Sequence, residues 1–344
     1  MIPGAMPDPL LIATADGLYC PDAGIHIDPW KPVARAIITH AHSDHAVAGS
    51  SAYLSSDAGL GVLQERMGRE AAIQTLAYGE RIRLGSVNVS LHPAGHLLGS
   101  AQVRLERDGE VWVVSGDYKV EADPTCAAFE PVPCQVFLTE STFGLPIYRW
   151  RPAKMIAREI DAWWRSNRER GRTSVLLAYS LGKAQRLLSL IDPIGPILAH
   201  GSIRRLNPHY AAAGVRLPDV LGTEDAALVK GHGLVIAPPS AVGTTWIRRF
   251  GDISTAFASG WMAVRGTRRR RNLDRGFVLS DHADWEGLLG AIRATGAQRV
   301  LVSHGHVQPL VRWLSDQGLH AERIAAHYAG EMESEHGAAE ERAA

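Results

Sequence analysis

Residues 39–45 read Thr39-His40-Ala41-His42-Ser43-Asp44-His45, and four metal-ligand side chains within six residues constrain this chain more than any other stretch. The cluster closes Val33 to Thr39, an apolar run ending in polar residues, as a buried strand would. His40 and His42 are two apart, so in extended backbone they point the same way. Asp44 and His45 follow as the chain turns and can face a second position nearby. Imidazole nitrogen and carboxylate oxygen suit zinc, and also manganese or iron.

Two further ligand candidates stand at predicted strand ends. His96 lies in Pro93-Ala94-Gly95-His96-Leu97-Leu98-Gly99-Ser100, where glycines allow close backbone approach. Asp117 follows the apolar strand Val111 to Val114 directly. Alone, each reads as an ordinary turn residue. After the first cluster they complete a set for two divalent cations, with Asp117 as the bridge. Two ions about 3.5–4 Å apart would clamp both oxygens of an in-line phosphoryl displacement.

The rest of the chain frames these residues. Up to about residue 140 it consists of short apolar strands and turns, with Asp108-Gly109 marking a hairpin between Ala101–Leu105 and Val111–Val114. One helix is expected over 56–67. After Pro152, helices over 152–168, 182–191 and 239–249 alternate with strands Ser174–Ala178, Pro196–Ala199 and Leu234–Ala237, the pattern of a separate parallel α/β unit. From Gly276 the chain returns to strand 277–279, helix 284–293, strand 299–302 and helix 307–316. Lys and Arg number 36 and so do Asp and Glu, so the whole chain offers no charge steering toward a polyanion; a local patch must do that work. Cys20, Cys126 and Cys134 are too few for a paired disulfide framework, and no 18-residue apolar run occurs. Those features, with no signal-like N-terminus, point to a cytoplasmic protein without membrane contact.

The ordered set His40-Ala41-His42-Ser43-Asp44-His45, His96 and Asp117 resembles the metallo-β-lactamase superfamily signature. The resemblance implies an α/β fold, an αββα sandwich with its metals at one edge of two sheets. It implies one ion on His40, His42, His96 and Asp117, and a second on Asp44, His45, Asp117 and a later histidine. Asp28, in Ile27-Asp28-Pro29-Trp30, matches the family's early aspartate, which orients ligating histidines rather than binding metal.

That later histidine waits until His282 or His304, beyond a long insertion. Here the chain is similar to the β-CASP nucleases, in which an inserted domain closes over the metal site. Glu140, His282 and His304 fall on that family's additional motifs. The resemblance assigns His304 to the second metal, and His282, helped by Glu140, to protonating the leaving oxygen. His306 is a rival for His304, which is favoured because it immediately follows Val300–Val302. The implied domains are 1–145, the first part of the metallo-β-lactamase domain; 146–275, the β-CASP insertion; and 276–330, the second part. Residues 331–344 read as a frayed tail.

Tyr19-Cys20, the run Thr139 to Arg149 and Tyr179-Ser180-Leu181-Gly182-Lys183 sharpen the resemblance toward bacterial DNA ligase-associated exonucleases. It implies DNA as substrate, exonuclease action in DNA repair, and functional association with an ATP-dependent DNA ligase and a helicase. DNA nucleases of the wider family commonly lack histidine at the position of His304, whereas RNA-processing members keep it, so RNA is the second reading. A small ester or thioester hydrolase with the insertion as lid is the third. For substrate grip, Ser180 and Lys183 read equally as a phosphate loop or a capped turn. Arg268, Arg269, Arg270 and Arg271 read equally as phosphate contacts or a solvated face. Trp163-Trp164 reads as helix core.

Overall fold

The computed structural model describes residues 9–264 and 273–324. Over these residues the chain is mixed α/β with three sheets. The first sheet lines up β1 (Ile12–Thr14), β2 (Gly17–Cys20), β3 (Ile25–Ile27), β4 (Arg35–Ile37), β5 (Ala52–Ser56) and β6 (Ile73–Leu76) in chain order. The second opens with β7 (Arg81–Leu84), β8 (Val87–Pro93), β9 (Ala101–Arg107), β10 (Glu110–Val114) and β11 (Val136–Ser141). A third, wholly parallel sheet follows, from β12 (Thr173–Leu177), β13 (Ile197–Ala199), β14 (Leu234–Ala237), β15 (Ile253–Ala258) and β16 (Arg275–Phe277) in the order β13-β14-β12-β15-β16. The chain then returns to the second sheet with β17 (Arg299–Gly305), which pairs in parallel with β11, and β18 (His320–Arg323) at its edge.

Alternation builds the core between the first two sheets. Val87, Val89 and Leu91 of β8 point inward with Val103 and Leu105 of β9, and they meet Leu18, Ile27, Ile37 and Leu54 of the first sheet in one buried cluster. The outer face of the first sheet, with Ala36 and Tyr53, is covered by Val62 and Leu63 of α1 (Leu60–Met67). The amphipathic helix α2 (Ala153–Glu169) turns Ile156, Ile160, Trp163 and Trp164 onto one face of the third sheet, beside Leu187 and Leu188 of α3 (Lys183–Leu190). Short helices α4 (Gly201–Arg204), α5 (Asn207–Ala212) and α6 (Thr245–Arg248) follow. The outer face of the second sheet, through Val113, Phe137 and Val300, packs on Trp285 and Leu289 of α7 (Trp285–Thr295) and Leu310 and Leu314 of α8 (Val307–Asp316). Asp284 caps α7 through Gly287 N at 2.8 Å.

Most predicted elements appear within a few residues. The expected helix over 239–249 is instead a 3-10 turn and the four-residue α6, parted by Gly243 at φ +80°. The strand expected to lead back from the insertion is β16, and it pairs with β15 in the third sheet. Arg268 to Arg271 and the 331–344 tail lie outside the described residues. No helix among the described residues is long and apolar enough to cross a membrane.

Strands β8, β10, β11 and β17 all run the same way, so their C-terminal ends share one edge of the second sheet. Open α/β sheets bind ligands outside such carboxyl ends. Ala101 N donates to Thr39 O at 2.8 Å, bringing the loop after β4 to the same edge. The loop after β8, which carries His96, turns at Gly99, whose φ is +78° and where an added Cβ would stand 2.0 Å from Gly59 Cα. Gly99→Ala is therefore expected to destabilise the fold by about 2 kcal/mol or more, read as a fall in melting temperature. An unchanged melting temperature would show that the loop shifts freely.

Candidate metal centre

The ligand candidates stand at strand ends of the two facing sheets: His40 after β4 of the first sheet, and His96 after β8, Asp117 after β10 and His304 within the end of β17 in the second. Gly116, at φ +57° and packed against Thr39, makes the turn that delivers Asp117. One ligand atom each from His40, His42, His96 and Asp117 lie within 4.8 Å of one another, as do those of His45, Asp117 and His304. Asp117 belongs to both groups. The Asp44 carboxylate is 3.9 Å from His45 Nε2 and faces the cleft. His304 Nε2 is 3.2 Å from Asp117 Oδ1, whereas His306 stacks on Tyr148, with ring centroids 5.6 Å apart.

Hydrogen bonds on the far side of each ring set its orientation. Asp28, buried and at φ +43°, accepts from Thr39 N at 2.7 Å, Thr39 Oγ1 at 2.6 Å and His45 Nδ1 at 2.8 Å. Because Thr39 Oγ1 donates to Asp28, it is left to accept from His40 Nδ1 at 3.1 Å. His40 Nε2 then points inward, buried and with no hydrogen bond among the described residues. Ser303 Oγ likewise donates to Thr139 O and accepts from His304 Nδ1 at 3.0 Å.

The sharpest test of fit lies between His42 and His96. His42 Nε2 donates to Leu181 O at 3.3 Å, and His96 Nδ1 donates to Asp281 O at 2.9 Å. A neutral imidazole has one N–H, so His42 Nδ1 and His96 Nε2, 3.1 Å apart, both present lone pairs. Two lone pairs at that separation call for a cation between them. Burial, followed by repulsion from facing histidines, holds His40 and His96 below the ordinary imidazole range and His42 down at about 4. All three are thus neutral near pH 7, the form that binds metal. Burial opposes charge on His45, but Asp117, Asp44 and Asp28 outweigh it and hold its pKa up at about 10. Burial also pushes Asp117 up, yet His45, His282 and His304 keep it well below the carboxylate range. The donor set fits a divalent cation.

Beside this cluster, Glu140 accepts from Tyr118 N at 2.8 Å and from Thr142 Oγ1, and His282 Nδ1 lies 2.9–3.0 Å from its two oxygens. His282 lines one end of a cleft of about 280 Å³ that includes Asp44, His304, Tyr179, Ser180 and Arg205, with Glu140 buried behind it. Ser180 faces this cleft, but Lys183 does not. Lys183 is fully buried, with Nζ 3.4 Å from Asp281 Oδ2, while Arg186 binds Asp281 Oδ1 at 3.4 Å and Asp123 Oδ2 at 2.8 Å. Its ammonium serves the interior, so the expected phosphate contact at Lys183 is corrected. Thr39, Leu181 and Asp281 were not predicted. Thr39 sits next to the motif and Asp281 next to His282, but the backbone carbonyl of Leu181 leaves no trace in sequence.

A protein named Probable DNA ligase from Opitutus terrae is 33% identical over 309 residues, 89% of this chain and 30% of its own length. Endoribonuclease YSH1 of Saccharomyces cerevisiae is 27% identical over 167 residues, 48% of this chain and 21% of its own. Cleavage and polyadenylation specificity factor subunit 3 of Dictyostelium discoideum is 25% identical over 143 residues, 41% of this chain and 18% of its own. The chain spans under a third of the length of these curated relatives. A solved protein of unknown function from Enterococcus faecalis shares the fold, with TM-score 0.57 at 12% identity over 84% of this chain and 78% of that one. No protein-family model matches the chain. The chain is a mixed α/β protein with a histidine and aspartate cluster able to hold a metal at its sheet edge. With these relatives, the chain belongs to the metallo-β-lactamase superfamily, in its β-CASP nuclease family.

Two outcomes follow from the charges. With His45 held protonated at a pKa of about 10, uptake of a divalent ion by metal-free protein at pH 8 should expel about one proton. Calorimetry in buffers of different ionisation enthalpy reads this directly, and zero release would show His45 to be neutral. Lys183→Met removes one partner of a buried ion pair and should cost about 3 kcal/mol or more. A variant with parental melting temperature would mean that the ammonium is not needed inside.

Proposed function

We propose that the protein is a two-metal phosphodiesterase that cleaves DNA, an exonuclease of cytoplasmic DNA repair. In this reading the two facing sheets and their helices are the αββα sandwich. Residues 146–275, extended by β16, are the β-CASP insertion, and 276–330 close the sandwich. The observation that carries it is the pair of ligand groups sharing Asp117, with His282 alongside in the same cleft and Glu140 hydrogen-bonded behind it.

His40, His42, His96 and Asp117 would hold one ion, and Asp44, His45, Asp117 and His304 the other, with zinc or manganese suited to both. When bound, such ions supply Lewis acidity that stabilises charge developing on phosphoryl oxygens. Asp28 orients His45 directly and His40 through Thr39. Glu140 fixes His282 through Nδ1, which turns the other ring nitrogen to deliver a proton to the leaving 3′-oxygen. Asp44, at the cleft, aligns the attacking water.

The 33% identical relative carries the name of a DNA ligase and is longer than this chain, which supports DNA. Functional association with an ATP-dependent DNA ligase and a helicase rests on the sequence resemblance alone. The endoribonuclease relatives and the presence of His304 support RNA as the second reading. End-labelled single- and double-stranded DNA and RNA, assayed with zinc, manganese and magnesium, separate the two. His282→Ala should keep both metals yet slow cleavage by about 10²–10⁴-fold. A bridging phosphorothiolate substrate, whose leaving group needs little protonation, should restore its rate. His304→Ala should lose metal and gain nothing from that substrate. Metal loss from His282→Ala with retention in His304→Ala would reverse the two roles.

A further inference from the structure

The cleft has a second chemical feature that the metal groups do not use. Arg66 of α1 and Arg205, just past α4, reach it from separate parts of the chain. Three carboxylates line the same cleft. Asp44 and Asp117 belong to the metal end, and Glu65 is 3.4 Å from His209 Nε2. The neighbouring Arg204 is paired with Glu224 at 3.2 Å, whereas Arg205 has no ion pair among the described residues. Beside it the hydroxyls of Ser180 and Ser202 lie 2.7 Å apart, and His200 Nδ1 holds Ser202 Oγ at 2.8 Å.

We propose that Arg66 and Arg205 form an anion subsite for the phosphodiester adjacent to the one being cut, on a single polynucleotide strand. This rests on the nuclease reading above. A guanidinium presents a planar fork of donors that matches two phosphate oxygens. The Ser180 hydroxyl donates to Ser202 and the Ser202 hydroxyl to His200 Nδ1, so this pair orders the wall and leaves the arginines as the donors. Size sets the strandedness. A cavity of about 280 Å³ is at the small end of binding sites and admits about one nucleotide, not a base-paired duplex. A phosphate at the arginines is therefore the next along the strand from a phosphate at the metal end. Because the chain has no net charge, these arginines supply the local attraction that the composition lacks.

The test uses the full-length metal-loaded protein, a single-stranded DNA oligonucleotide, and bis(p-nitrophenyl) phosphate, which has no adjacent phosphodiester. Arg205→Ala and Arg66→Ala should each raise KM for the oligonucleotide about 10-fold, far more than for the small diester. Each should also flatten the salt dependence of oligonucleotide binding by about 0.7 in log–log slope. A methylphosphonate at the linkage beside the scissile bond removes the charge from the other side. The parent should lose about 10-fold on it, and Arg205→Ala should lose no more. Parental KM and salt slope in both variants, with cleavage intact, would overturn the subsite and leave the nuclease reading standing. Blunt duplex cut as fast as single strand would overturn the single-strand assignment. Failure of the parent to hydrolyse either substrate would instead overturn the nuclease reading itself.

Discussion

The carboxylate of Asp28 accepts three hydrogen bonds within a nearly sealed interior, and the geometry of the metal cluster depends on them. It is held at φ +43°, a region aspartate tolerates better than most residues, at the end of β3. Two bonds to Thr39 fix the backbone where β4 runs out, and the third turns His45. Through the Thr39 hydroxyl the same carboxylate also sets the tautomer of His40. One buried anion thus decides which nitrogen each of two rings offers inward. A buried carboxylate is costly unless fully hydrogen-bonded, and here the bonds that compensate it are the ones that orient the rings.

The second pair of rings is oriented from the other part of the chain. Leu181 O, in the turn before α3, accepts from His42, and Asp281 O, on the segment leaving the third sheet, accepts from His96. Those two points are joined beneath the surface by Lys183, Arg186, Asp281 and Asp123, all buried. Ion pairs of this kind add little net stability, but breaking one leaves an unpaired buried charge, so they resist partial opening. The turn that holds His42 is consequently tied to the strand end that holds His96 and His282. The lone pairs facing each other at 3.1 Å are forced together by two carbonyls that the third-sheet segment supplies.

Much of this was legible in sequence because ligand chemistry and strand endings coincide. His40, His42, Asp117 and His304 each stand where an apolar run stops, and the parallel direction of β8, β10, β11 and β17 converts those endings into one edge. The hairpin at Asp108-Gly109 was equally plain, since both residues adopt positive φ. What escaped depends on long-range packing. Lys183 follows a glycine between strand and helix, as a phosphate-binding lysine would, and only the position of Asp281, distant in sequence, draws it inward. β15 and β16 lie around a segment whose alternation is broken by Ser254, Thr255 and Gly276, so their pairing is invisible without the neighbouring strands. Leu181 acts through its backbone, which has no side-chain signature at all.

Charge balance explains how such a chain could handle a polyanion. With equal numbers of acidic and basic residues, the whole chain carries no net charge to draw in a polyanion, and any such attraction must come from a local patch. Inside the cleft, Asp44 and Asp117 stand at the metal end and Glu65 beside His209, while Arg66 and Arg205 also line it. A polynucleotide would then gain little by lying on the outer surface and most by threading a strand past the arginines toward Asp117. On the proposed subsite, preference for a single strand would need no base contact, because the cleft has room for about one nucleotide. On that reading the two arginines carry the salt-dependent part of binding, and the metal end carries the rest.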